Sequence, residues 1–258
     1  MKRGGIFRLL SELLFPPRCA ACGKLLPVSR FKSEQPFCVG CAAGWSRALL
    51  KQCDTCFQPF ENCHCSASVL EKCGIRRFVK LAPYSEDPTL CVPRLTVLGI
   101  KRRCVGETFS FLAGSLRVTV LAAVRASDLE RRQRGEPPLD TVISYLPRSR
   151  RNLRKYGFDQ AKMLARALSK ETGYPIKRLL KRRGDSEEQK TLTRAQRQRN
   201  LEGAYLAVGE IPPNTRVLLV DDVVTTGSSM AAAASVLSAE EVIAVSIAHT
   251  REKRTQKK

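Results

Sequence analysis

The chain is 258 residues long and 43% apolar, and it carries 45 Lys/Arg against 24 Asp/Glu, a formal charge of +21. That length and apolar content fit one medium domain with a small appendage and suffice for a real core. No apolar run approaches the roughly 18–20 residues of a membrane-spanning helix, and the charge excess points to phosphate-bearing partners (nucleic acid, a phosphorylated metabolite or both) ahead of an anionic membrane surface.

The opening segment, MKRGGIFRLLSELLFPPRC, has a basic start, but Arg8, Ser11 and Glu12 interrupt its apolar part. It predicts an amphipathic helix within residues 1–17, ending at Pro16-Pro17, that packs against the neighbouring segment of chain; it does not read as a signal peptide. The expected location is therefore the cytoplasm, with reduced thiols. Eight of the eleven cysteines then crowd into residues 18–66. Cys19-x2-Cys22 and Cys38-x2-Cys41 are two knuckles separated by fifteen residues, the spacing of a four-thiolate zinc ribbon. Cys53, Cys56, Cys63 and Cys65 make a second, less regular set, with His64 as an alternative ligand. Four thiolates leave no open coordination position, so zinc at either place is structural. Large apolar side chains are few here, so metal binding is expected to supply much of the folding energy. Cys73, Cys91 and Cys104 lack a CxxC partner and are expected to be buried as small hydrophobes.

Residues 67–250 read as an α/β domain with a mainly parallel sheet flanked by helices. Residues 73–84 have strand-like spacing, 89–100 form a short helix candidate weakened by Pro93, and 109–129 read as a long helix. Residues 131–138 are a polar loop and 141–146 a strand. Asp159 is placed to cap a helix from Gln160 to about Glu171, with Ala161, Leu164, Ala165 and Leu168 on one face and Gly173 as the stop. Residues 176–180 and 205–208 are short strand candidates, and 242–248 is a final apolar strand. His249, at that strand's end, is assigned a structural role. The tail 251–258 is basic and expected to be disordered.

The most informative segment is residues 217–229, VLLVDDVVTTGSS. Val217 to Val220 suits a strand buried on both faces. Asp221 and Asp222 then stand at its C-terminal end, where open α/β sheets bind ligands. Thr225, Thr226, Gly227, Ser228 and Ser229 form a small hydroxyl-rich turn leading into a helix over 230–237, whose N-terminal amides favour an anion. Acceptors for sugar hydroxyls and donors for a phosphate thus lie within nine residues, and a phosphoribosyl group is the first ligand to consider. The plain alternative is an ordinary strand–turn–helix connection.

Residues 148–199 contain 17 Lys/Arg and 5 Asp/Glu, a net of +12, so over half the charge excess sits in one fifth of the chain. Solvated surface accounts for some of these residues. For the cluster, a counter-anion is the better reading. Arg148, Arg150, Arg151, Arg154 and Lys155 come directly after a strand end. Arg182, Arg183, Lys190, Arg194, Arg197 and Arg199 lie in a polar stretch that suits a flexible lid or a nucleic-acid track. Tyr156 and Phe158 are the only aromatic residues near the patch, few for a dedicated single-strand stacking platform.

The 217–229 run resembles the phosphoribosyl pyrophosphate (PRPP) motif of type I phosphoribosyltransferases. The resemblance implies that Asp221 and Asp222 hold the ribose hydroxyls and Thr225 to Ser229 the 5′-phosphate. A zinc ribbon ahead of LPRSRRNLRKYGFDQAKMLA, then LTRAQRQRNLEGAY, then this motif, is similar to the ComF family, phosphoribosyltransferase-like proteins of DNA uptake in natural competence. In this chain Lys155-Tyr156-Gly157-Phe158-Asp159-Gln160 stands where the family shows an Arg-Gly-Phe-Asn-Gln-like string. Thr191-Leu192-Thr193-Arg194-Ala195-Gln196 stands for its Thr-x-Ser-Gln string. The family likeness implies that Arg148, Arg150, Arg151, Arg154 and Lys155 clamp the pyrophosphate with Mg²⁺. Three readings result: a transferase with a nitrogen acceptor, a protein holding single-stranded DNA beside a competence helicase, or a scaffold whose ribbon docks a partner.

Overall fold

The structure is a computed structural model, and it describes residues 16–26, 35–53, 56–63, 65, 68–183 and 203–250. The expected N-terminal helix before Pro16, His64, the arginine-rich stretch from Lys190 to Arg199 and the basic tail lie outside the described residues. Four strands, β1 (Arg77–Pro83), β2 (Asp140–Tyr145), β5 (Thr215–Val224) and β6 (Glu241–His249), form one sheet in the order β1-β6-β5-β2. Every pairing in it is parallel. A separate antiparallel ribbon pairs β3 (Leu180–Arg182) with β4 (Tyr205–Ala207). Of the expected strand at 176–180, Ile176 makes a single parallel bridge to Ile143 and Leu180 opens β3. That bridge partly covers the outer edge of β2.

Seven α-helices flank the strands among the described residues: α1 (Val39–Leu49), α2 (Ser68–Lys72), α3 (Val92–Ile100), α4 (Gly106–Gln133), α5 (Arg150–Tyr156), α6 (Gln160–Thr172) and α7 (Ser228–Ala234). The alternation of a strand assigns its neighbours to two layers. Leu218 and Val220 of β5 join Leu112 and Leu116 of α4 and Leu164 and Leu168 of α6 in one core. Val217 and Leu219 join Met230 and Ala234 of α7, Leu70 of α2 and Tyr205 of β4 in the other. By length and composition α4 is the one helix among the described residues able to cross a membrane, a property that the run-length criterion applied to the sequence does not detect. Its buried residues, including Phe109, Leu112, Ala113, Leu116, Val120, Ala123 and Val124, recur every three or four positions and pack on α6 and β1.

The cysteine-rich segment is more tightly built into this core than its composition suggests. Phe37 and Trp45 are buried and stack with ring centroids 5.2 Å apart, and both meet Phe111 of α4 edge-on, at 5.5 and 6.0 Å. Each such side chain contributes about 1.5–3 kcal/mol by burial, so metal binding is not the only source of its folding energy. Gly99 of α3 backs directly onto the Ala20 carbonyl, where a Cβ would collide with backbone.

At the N-terminal ends of the strands a fully buried cation organises the layers. Arg216, 0% exposed, donates to Glu241 Oε2 (2.6 Å), Asp128 Oδ1 (2.7 Å), Ser127 Oγ (2.9 Å) and Thr141 Oγ1 (3.2 Å). Arg77 of β1 also donates to Glu241, at 3.1 Å. Removing a partner from such a group leaves buried charge uncompensated. Glu241→Ala is expected to cost about 3–5 kcal/mol in urea unfolding; a loss below about 1 kcal/mol would contradict this role for the network.

Candidate functional site

Parallel pairing gathers the C-terminal strand ends at one rim, and β5, in the sheet interior, delivers its acids there. Leu146, just past β2, donates its amide to the Val220 carbonyl. Asp221 and Asp222 come next on β5, so the strand continues through the acid pair instead of ending before it. Asp222 is 2% exposed, and its Oδ2 lies 3.3 Å from Lys101 Nζ, an ion pair rather than an aligned hydrogen bond. The Asp222 amide donates to Asp221 Oδ1 at 2.8 Å. Burial, together with the adjoining Asp222 carboxylate, raises the Asp221 carboxyl well above the usual carboxylate range. Lys101, at the C-terminal cap of α3, is a site residue absent from the sequence-based expectations; no local motif marks it.

The turn after β5 has the expected composition and geometry. Gly227 adopts φ +81°, a conformation that favours glycine, and it caps α7. Thr226 Oγ1 and Ser228 Oγ are 2.9 Å apart, and the Ser228 amide points to Thr226 Oγ1 at 3.4 Å. Thr225 and Thr226 are exposed, Ser228 and Ser229 partly so. Tyr205 of β4 is buried against Met230 and Ala234 of α7, and burial raises its phenol pKa, so it stays protonated. Arg182 of β3 stacks over the Tyr205 ring at 5.7 Å.

The basic run after β2 is helical over most of its length. Ser149 Oγ accepts from the Asn152 amide, Gly157 ends the turn in the left-handed region, and residues 150–156 form α5. Asp159 both caps α6, accepting from the Lys162 amide at 3.2 Å, and accepts from the Arg148 amide at 2.8 Å. Arg148 turns inward: it donates to the carbonyls of Phe158 (3.1 Å) and Lys101 (3.4 Å) and lies 4.4 Å from the Tyr156 ring centre. It therefore braces the segment and steadies the residue that faces Asp222. Arg150, Arg151, Arg154 and Lys155 are exposed on α5. The structure thus brings the acid pair, the hydroxyl turn and Arg148 to one rim and leaves the remaining basic residues on its outer helix. A hollow lined by Gly209, Pro212, Pro213 and Ser238 lies at the opposite, N-terminal pole of the strands and contains none of these groups.

The metal-type clusters are well formed. The sulfurs of Cys19, Cys22, Cys38 and Cys41 lie within 4.8 Å of one another, as do those of Cys53, Cys56, Cys63 and Cys65. Cys22 and Cys38 Sγ are 3.7 Å apart, close to the edge of about 3.8 Å of a tetrahedron with Zn–S near 2.3 Å. Cys38 and Cys41 stand at the N-terminus of α1, and burial with the neighbouring thiols raises the Cys41 pKa. Burial opposes ionisation of Cys19, but the amides of Cys38, Cys22 and Ala21 lower its pKa to about 7. Burial and neighbouring thiols push Cys65 up to about 12. Four such thiols ionise together only around a cation, so each cluster can hold zinc. The four sulfurs of the second set are as closely grouped as those of the first. The three remaining cysteines depart from expectation: Cys73 is exposed in a turn, Cys104 is exposed in the irregular connection before α4, and Cys91 is partly buried at the start of α3, its thiol facing the Pro88 carbonyl at 3.4 Å.

His249 is buried edge-on to Phe78 at 5.2 Å, and burial with the nearby Lys80 charge lowers its pKa to about 4. It is neutral at pH 7, in keeping with a structural role.

A carboxyl whose pKa is raised by folding keeps a proton that the unfolded chain releases near pH 4. Folding is therefore penalised as pH rises through that range. Asp221→Asn removes the penalty while its amide oxygen still accepts from the Asp222 amide. Without ligand, the variant is expected to melt about 2–4 °C above wild type at pH 7, the gain shrinking toward pH 4. A lower melting point at pH 7, measured by calorimetry, would contradict the raised pKa.

No curated protein matches the chain. The model of the phosphoribosyl transferase domain matches residues 153–258, from α5 to the C-terminal tail, and with the parallel sheet it establishes a phosphoribosyltransferase-like fold for the C-terminal part of the chain.

Proposed function

We propose that this chain binds PRPP, or a related ribose phosphate, with Mg²⁺ at the rim of β5, and that it is a cytoplasmic ComF-type protein of DNA uptake. The observation that carries the ligand reading is a buried Asp222 adjoining a half-buried Asp221, beside a hydroxyl-lined turn at the start of α7. Crowding two acids at one rim raises the pKa of one and costs stability, and perturbed carboxyls of this kind cluster at functional sites.

In this reading Asp221 and Asp222 accept hydrogen bonds from the ribose 2′- and 3′-hydroxyls. Thr225, Thr226, Ser228 and Ser229, with the amides around Gly227, hold the 5′-phosphate. Arg150, Arg151, Arg154 and Lys155 meet the pyrophosphate, and Arg148 contributes by fixing α5 and Lys101. Mg²⁺, when bound with the ligand, supplies charge neutralisation on the leaving oxygens. Transfer at this site breaks the bond between ribose C1 and the pyrophosphate oxygen. The electron pair leaves with pyrophosphate, and a nitrogen acceptor forms the new bond to C1. The carboxylates stabilise the positive charge that develops on the sugar. Both thiol clusters hold structural zinc.

The exposed basic face of α5 supports a second reading, a non-catalytic protein that holds single-stranded DNA beside a competence helicase. Calorimetric titration separates the two. PRPP with Mg²⁺ is expected to bind wild type and to lose at least about 100-fold in affinity with Asp221→Ala/Asp222→Ala, two charged hydrogen-bonding groups being removed. PRPP binding unaffected by that double variant sinks the rim assignment. Oligonucleotide binding with a log–log salt slope of about −0.7 per phosphate contact, insensitive to the aspartates, favours the second reading.

A further inference from the structure

Lys80 lies in the middle of β1 and is 2% exposed, one of the largest fully buried side chains in the described chain. On β1, Val79 and Leu81 face the α4 layer, and Phe78 and Lys80 face the other way. A buried ammonium needs a counter-charge. Among the described side chains no carboxylate lies within ion-pairing distance of it. Its contacts are neutral: it donates to the Cys65 carbonyl at 2.5 Å and lies 4.8 Å from the Phe78 ring centre and 5.8 Å from that of Phe60. The adjacent His249 is neutral and offers no negative charge.

The Cys65 carbonyl belongs to the second thiol cluster, whose four sulfurs converge within 4.8 Å. Zn²⁺ with four thiolates carries a net charge of about −2. We infer that Lys80 is the buried counter-charge of the second four-cysteine zinc centre, and that through it strand β1 anchors that centre to the sheet. The geometry fits: the ammonium meets the backbone of a ligating residue, and the two flanking rings exclude water that would otherwise screen the attraction. Lys80 acts as a positioning residue for the metal. The inference rests on the zinc reading of the second cluster and is independent of the PRPP site.

The test uses the full chain, zinc content by elemental analysis and zinc release to a colorimetric chelator, for wild type, Lys80→Met and Lys80→Arg. Wild type is expected to hold two zinc ions. Lys80→Met is expected to release one of them about 10–100-fold faster and the other at the wild-type rate, with Lys80→Arg close to wild type. In a Cys56→Ser background, which keeps only the first centre, Lys80→Met is expected to change nothing. Release of both ions from Lys80→Met at wild-type rates overturns the proposal, as does equal acceleration by Lys80→Met and Lys80→Arg. Fewer than two zinc ions in wild type removes the second centre itself, and Lys80's role with it. Should Lys80→Met fail to fold, hydrogen exchange on wild type decides. As the second zinc is withdrawn, residues 78–81 are expected to lose amide protection while β5 keeps it; unchanged protection of β1 overturns the coupling.

Discussion

Arg216 is completely buried and Asp222 nearly so, and they stand six residues apart on the same strand. Between Arg216 and the acid pair, Val217 to Val220 are apolar on both faces, as a strand inside a parallel sheet has to be. Charge therefore enters this strand only at its ends, and the two ends solve the problem differently. At the N-terminal end Arg216 has two carboxylates and two hydroxyls around it, a closed network with polar partners for every guanidinium nitrogen. At the C-terminal end, among the described residues, the acids have one lysine, and Asp222 Oδ2 lacks an aligned donor. The first arrangement is a structural clasp. The second is left incomplete by the described side chains, and it lies where open α/β sheets place a ligand.

The positive charge divides in the same way. Arg216, Arg77, Arg148 and Lys80 are turned into the protein and bind carboxylates, carbonyls or aromatic faces. Arg150, Arg154 and Lys155 are exposed on α5. A count of basic residues over 148–199 treats these groups alike, although an inward arginine with two carbonyl partners and a ring contributes to rigidity and little to an external field.

Much of this is legible in the chain. The four-residue apolar run, the acid pair and the glycine-containing turn predict β5, its rim and the start of α7. Asp159 and Gly173 mark the two ends of α6 through capping chemistry, which is local. The cysteine spacing predicts both clusters. The features that escape a reading of the chain depend on contacts distant in sequence. Lys101 reaches Asp222 across 121 positions of chain, and nothing near it in sequence signals an acid. Arg148 resembles a ligand-binding residue because its partners are main-chain carbonyls, which leave no trace in composition. The packing of Phe37 and Trp45 against Phe111 is hidden because the cysteine-rich segment reads as a unit without a core of its own, whereas it shares one with α4. The exposure of Cys73 and Cys104 stems from their places in connections between elements, which residue type alone does not disclose.

The contact between Gly99 and the Ala20 carbonyl ties these regions together. Ala20 belongs to the first cysteine knuckle, and Gly99 lies two positions before Lys101 on the same helical end. With no side chain at residue 99, main chain rests on main chain, which has little freedom to give way. The first knuckle and the end of α3 that carries Lys101 therefore meet at one hard stop, which any side chain at residue 99 would push apart.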